Sequence, residues 1–216
     1  VKLVGISGGV SYGALGMSHH SLQDIAVARA IPNLQVLLPA DRFEAEKMFA
    51  FLAKSNHPAY IRIGRNPVQD CYSSLDYEFE IGQAVTMKTG NDVTLIATGE
   101  TVRVALDSAE ELAKKGISAR VLNYHTIKPF DETTLLKAAN ETKILISVEE
   151  HSIYGGLGGA VAETLSMEPD VIHKIIGIPD EPAVTGTTQE IFNHYGLNAQ
   201  AISEVAQELL KGEDVN

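Results

Sequence analysis

Apolar positions recur along the chain with two periods, and the alternation between them outlines the architecture. Val1–Ile6, Gln35–Pro39 and Ala59–Ile63 are short apolar runs bounded by turn residues, the signature of buried strands. Between them lie two stretches with helical spacing. Ser21–Ala30 places Leu22, Ile25, Ala26 and Arg29 on neighbouring turns, and Pro32-Asn33 stops it. The second opens at Asp41, an N-cap with Glu44 three residues on. It turns Phe43, Met48, Phe49 and Leu52 toward a core and runs out near Asn56-His57-Pro58. Strand–helix–strand–helix–strand with short links predicts parallel strands and right-handed crossovers.

The pattern weakens from Pro67 to about Phe79. We divide the chain there into a unit at 1–72, a linker at 73–90 and a unit at 91–216. The second unit repeats the α/β logic. Asp92–Ala97, Ala119–Asn123, Lys143–Val148 and His173–Gly177 read as strands, and Thr101–Lys115, Glu132–Ala139 and Ala160–Leu165 as helices. Gly116 ends the first of these helices, and two further helical patterns follow at Gln189–His194 and Ala199–Leu210. The fold class is α/β, in two units.

Composition narrows the function. The chain of 216 residues is 44% hydrophobic and carries a net charge of −11 from 28 acidic and 17 basic residues. Such a surface repels nucleic acid and anionic membranes. No run approaches the ~20 apolar residues of a membrane span. One cysteine, Cys71, cannot form an internal disulfide, which fits a reducing cytoplasm. The chain opens at Val1 inside an apparent strand, and further protein upstream is expected.

Candidate chemistry centres on the loop Ser7–Ser21, SGGVSYGALGMSHHS. Gly8, Gly9, Gly13 and Gly16 let it fold tightly. It ends in His19-His20 just before a helix start, at the carboxyl end of a strand where open α/β sheets present their sites. The imidazoles can serve hydroxyl or phosphate oxygens; equally, they can be one capping and one solvated residue. Arg62 and Arg65 end the third strand, where a guanidinium can grip a phosphate or carboxylate, or form weak surface ion pairs. Glu149-Glu150-His151 precedes GGLGG, but adjacent carboxylates repel an anion, so a structural turn or subunit contact is the better account. Cys71 has no partner for thiol catalysis, and the seven histidines are dispersed without metal-ligand spacing.

At these residues the chain resembles the transketolase family. GMSHHSLQDIAVARAIPNLQVLLPAD and PAYIRIGRNP resemble its pyrimidine-binding domain; TLIATGETVRVAL, NYHTIKPFD, VEEHSIYGGLGGAVAETL and IGIPDEPAVTGTTQEIFNHYGL resemble its C-terminal domain. The likeness covers almost the whole chain and is greatest to the small, C-terminal subunit of a split transketolase. It implies two three-layer α/β/α units with mostly parallel sheets, the first about half of a pyrimidine-binding domain. It implies ketol transfer between a ketose and an aldose, with thiamine diphosphate and magnesium held by a partner chain, the large N-terminal subunit. It also implies homodimerisation through both domains and a sugar-phosphate substrate. His19 falls on the family histidine facing cofactor and substrate hydroxyls, and Arg65 on the arginine that holds substrate phosphate. Gly16 and Ser18 match the loop that shapes the cofactor pocket, and His20 adjoins it.

Two departures bear on substrate. Leu15 stands where sugar-phosphate transketolases have an aspartate, and Ser7 where they have a histidine. Both partners recognise sugar hydroxyls, so a changed specificity is expected. The family's catalytic glutamate, the aromatics that stack on the pyrimidine ring and the G-D-G…N motif for magnesium diphosphate have no counterpart in the chain. Inactivity of the chain alone is the expectation. The same fold also serves pyruvate decarboxylation and transfer, as in deoxyxylulose-phosphate synthase or 2-oxo-acid dehydrogenase β subunits. A non-catalytic assembly module is a third reading.

Overall fold

The computed structural model describes residues 1–212. Two mostly parallel sheets organise them. In the first, β1 (Lys2–Ile6) and β2 (Gln35–Leu37) flank β3 (Ala59–Ile63) in parallel, with α1 (Asp24–Ala30) and α2 (Arg42–Lys54) as crossovers. The second has the order β4-β6-β5-β8-β9, from Val85–Lys88, Ala119–Asn123, Val93–Ala97, Ile144–Ser152 and Ile172–Ile178. Only β4 is antiparallel, on β6. Around it lie α3 (Thr101–Lys114), α4 (Glu132–Thr142), α5 (Leu157–Leu165), α6 (Thr188–His194) and α7 (Ala199–Lys211).

Four features differ from the sequence pattern. The first sheet has a fourth strand, β7 (Thr126–Lys128), lent by the second half and antiparallel to β2. β4 lies inside the stretch read as linker, where VTMK is too short and half-polar to signal a strand. β1 is not buried: it is a sheet edge, with Leu3, Val4 and Ile6 exposed. Phe49 also faces outward, because the inner stripe of α2 is Glu44, Met48 and Leu52 at four-residue intervals.

The halves share a core. Ile25, Ala28, Val36 and Leu38 of the first unit pack in one apolar cluster with Ile96, Leu122, Tyr124, Leu145 and Leu157 of the second. Val10 and Leu22, at the two ends of the glycine-rich loop, sink into another cluster with Leu95, Val102 and Ile146. The loop is thus fastened at both ends to the neighbouring unit's core.

Candidate active site

The loop begins at strain and is closed by a neck. Ser7, leaving β1, has φ of 60°, a left-handed conformation that costs a residue with a Cβ ~1–2 kcal/mol. Gly8 N–H donates to the Ile63 carbonyl (3.2 Å), and Gly9 and Ser21 exchange backbone hydrogen bonds of 3.0 and 2.8 Å. Gly9 also has positive φ (61°), and a Cβ on it would collide with the Glu150 carboxyl and the Arg62 guanidinium. That close approach is what the Gly-Gly pair serves.

Beneath the neck lies a buried charge cluster. Arg62 is 4% exposed and donates from Nη2 to the Glu150 carbonyl (2.6 Å) and carboxylate (3.1 Å); Nη1 lies 3.6 Å from Asp24. Glu150 Oε1 in turn accepts from Val10 N–H at 2.7 Å, so an acid of the second unit holds the loop's first buried apolar side chain by its backbone. Burial pushes the Glu150 carboxyl up despite Arg62. Arg62 is therefore committed inside the protein and is not available to a ligand.

The rest of Glu149-Glu150-His151 is the carboxyl-terminal part of β8 rather than a turn. Glu149 accepts from Leu157 and Gly158 N–H (2.7 and 2.8 Å), occupying the start of α5 with its own carboxylate. With those amides taken, α5 begins three residues earlier than its apolar pattern suggests and leaves no room there for an anion. Burial raises Glu149 to about 7 and lowers His151 to about 4. Neutral His151 fits its partners: Nδ1–H donates to Ser152 O (2.7 Å), and Nε2 faces Ala26 N–H (3.4 Å).

Above the neck the chain forms a 3-10 turn over Gly13–Ser18. Gly13 accepts from Gly186 N–H at 3.2 Å, and a Cβ on Gly16 (φ 70°) would stand 2.6 Å from Thr185 Oγ1. The turn thus rests on the segment before α6. It presents Leu15, Met17, Ser18 and His19 to solvent. His19 Nδ1 lies 3.0 Å from Ser18 Oγ. The His19 ring is 5.6 Å from the Tyr12 ring, and the Arg65 guanidinium lies over the Tyr12 face at 4.1 Å.

His19, Ser18 and Arg65, drawn from a loop and a separate strand end, therefore share one surface through Tyr12. Leu15 and Gly16 belong to the same turn, while Ser7 stays at the neck. His20 turns inward, and its half-burial holds the imidazole below its ordinary pKa. Arg65 is distinctive in charge. The other five arginines (Arg29, Arg42, Arg62, Arg103 and Arg120) each form an ion pair; Arg65 has none among the described residues. An exposed guanidinium without a carboxylate, held against a ring, can receive an anion. Tyr12 escaped sequence reasoning; its only signal was an aromatic residue among glycines. Among the described residues no group of three His, Cys, Asp or Glu side chains could hold a metal ion, and no helix is long and apolar enough to cross a membrane.

Comparison with known proteins shows the family. Residues 1–69 match the family description "Transketolase, pyrimidine binding domain", and residues 82–202 match "Transketolase, C-terminal domain". The chain is 49% identical over 211 residues to one subunit of the apulose-4-phosphate transketolase of Phocaeicola vulgatus, covering 98% of this chain and 67% of that one. It is 38% identical to a 6-deoxy-6-sulfo-D-fructose transketolase subunit of a Clostridium species, covering 97% and 65%. A solved structure described as a split-gene transketolase in an inactive beta4 tetramer superposes with TM-score 0.88 at 36% identity, over 99% of this chain and 68% of that one. The chain spans about two thirds of the length of these relatives.

Proposed function

Because this chain belongs to the transketolase family, we propose that it is the C-terminal part of a split transketolase that moves a two-carbon ketol unit from a ketose to an aldose. On this reading 1–72 is part of a pyrimidine-binding domain, 73–90 a connection and 91–216 a C-terminal domain. The observation that carries it is the surface shared by His19 and Arg65, a proton-handling imidazole beside an unpaired guanidinium.

Thiamine diphosphate fits the chain on one side only. The exposed turn Leu15–His19 offers an apolar rim with an imidazole, suited to a ring system and hydroxyls. The family resemblance assigns magnesium and the diphosphate to the large partner chain. When bound, the cofactor supplies the nucleophilic carbon of the reaction. The work of this chain is to grip an anionic group with Arg65 and to donate or accept a proton at a substrate hydroxyl or carbonyl oxygen through His19, with Ser18 fixing the ring. Ser7, Leu15 and His20 flank the substrate and Gly16 shapes the turn. Leu15 offers no hydrogen bond, which favours a substrate other than the usual pentose phosphates.

The relatives' names support a sugar carrying phosphate or sulfonate as substrate. A large partner chain is supported by relatives that are each named as one subunit of a transketolase, and self-association by the beta4 tetramer of the solved relative. The lone cysteine favours the cytoplasm. The test is calorimetric titration with thiamine diphosphate and magnesium, with and without the large subunit, followed by a ketose donor panel. Binding and ketol transfer are expected only from the heteromer; tight binding by this chain alone, or no transfer by the heteromer, refutes the proposal.

A further inference from the structure

We propose that Tyr12 is a positioning residue of this site, one ring that fixes the Arg65 anion grip and the His19 imidazole at a set separation so that both act on one ligand. The inference rests on the reading above and adds to it the element that joins its two functional side chains.

Tyr12 is built to hold still. Its neighbours Ser11 and Gly13 are both buried. Ser11 Oγ–H donates to the Gly8 carbonyl (2.6 Å), and Gly13 accepts from Gly186 N–H. The Tyr12 carbonyl itself accepts from Leu15 N–H at 3.0 Å, closing the first turn of the 3-10 segment. With the backbone pinned on both sides, the half-buried ring has a fixed base. Arg65, by contrast, is an exposed, rotamer-rich side chain with no carboxylate to order it. Left alone it would sample many positions, and a ligand would have to order it on binding. The Tyr12 face at 4.1 Å removes part of that cost while leaving the guanidinium N–H groups free to donate outward. The tilt of 43° between the Tyr12 and His19 rings sets the imidazole beside the same ring.

Stacking needs the ring and not the phenol, since neither contact uses the hydroxyl. Tyr12→Phe should therefore keep the device, and Tyr12→Leu, similar in bulk, should lose it. The experiment uses the assembled heteromer and inorganic phosphate as the probe, with apparent affinity followed through the His19 ring signals by NMR. KM and kcat with the most active phosphorylated ketose of the donor panel are measured alongside. Tyr12→Leu is expected to weaken phosphate about fivefold and to raise KM by more than it lowers kcat. Tyr12→Phe restores both, and Tyr12→Leu/Arg65→Gln is no worse than Arg65→Gln for phosphate. Should Arg65→Gln weaken phosphate while Tyr12→Leu leaves it unchanged, or should Tyr12→Phe do as much harm as Tyr12→Leu, the positioning role is overturned and the proposed function stands. If Arg65→Gln leaves phosphate affinity unaltered, the anion grip itself is wrong and the Tyr12 proposal falls with it.

Discussion

Glu44 offers the sharpest test of the packing between the two units. It lies on the inner stripe of α2 with no exposure, between Tyr72 at the end of the first unit and Asn123 at the end of β6. Its Oε1 accepts from Asn123 Nδ2 (2.8 Å) and the Tyr72 hydroxyl (3.0 Å), and Oε2 from Ala40 N–H (2.7 Å). Burial, opposed only in part by these donors, raises the carboxyl from 4.5 to about 7. A raised folded-state pKa means that the native protein holds a proton the unfolded chain has released. Its contribution to stability is present below pH 4.5 and is lost as pH rises through about 7. At ~1.4 kcal/mol per pH unit, the loss between pH 5 and pH 8 is ~2–3 kcal/mol. Glu44→Gln keeps the shape and has no proton to lose. Denaturant titrations of both proteins across this range should show the glutamine variant gaining ~2–3 kcal/mol relative to wild type as pH rises, or roughly 5–10 °C in Tm for a chain of this size. Groups elsewhere cancel in the difference. A difference that does not change with pH would show that the donors keep Glu44 ionised in the fold, refuting the argument that burial dominates.

Three further outcomes follow from the same contacts. Gly9→Ala puts a methyl against Glu150 and Arg62 at a positive φ, so thermal unfolding should show a loss of ~2 kcal/mol or more; an unchanged midpoint would mean that the neck yields freely. Glu149→Ala strips two buried N–H groups of α5 of their acceptor and should cost ~2–4 kcal/mol, with hydrogen exchange accelerated more at Leu157 and Gly158 than in the rest of α5. His19→Ala, measured in the heteromer, should lower kcat ~100-fold or more, whereas full turnover would favour a non-catalytic assembly role.

Much of this protein is written in local pattern. Hydrophobic periodicity placed α3 and β6 within a residue of their observed ends, because most of their buried positions are apolar side chains at regular spacing. Asp41 was legible as an N-cap from its spacing to Glu44, since capping depends on contacts three residues apart. The loop Ser7–Ser21 announced itself through glycines and histidines, and the family likeness rests on motifs that are contiguous in sequence.

What remained hidden depends on residues distant in the chain. β7 exists because Thr126–Lys128 crosses to pair with β2, and its short run carries no strand signal of its own. Arg62 and Arg65 look alike in sequence, yet Arg62 within β3 points into a buried cluster with Glu150 and Asp24, whereas Arg65, in the bend beyond the strand, lies out over Tyr12. Chemical type is a property of the residue; availability is set by which partners the tertiary structure brings within reach. The sequence alone therefore determined the elements and the kind of chemistry on offer, and only the folded chain decided which arginine is spent inside and which faces a ligand.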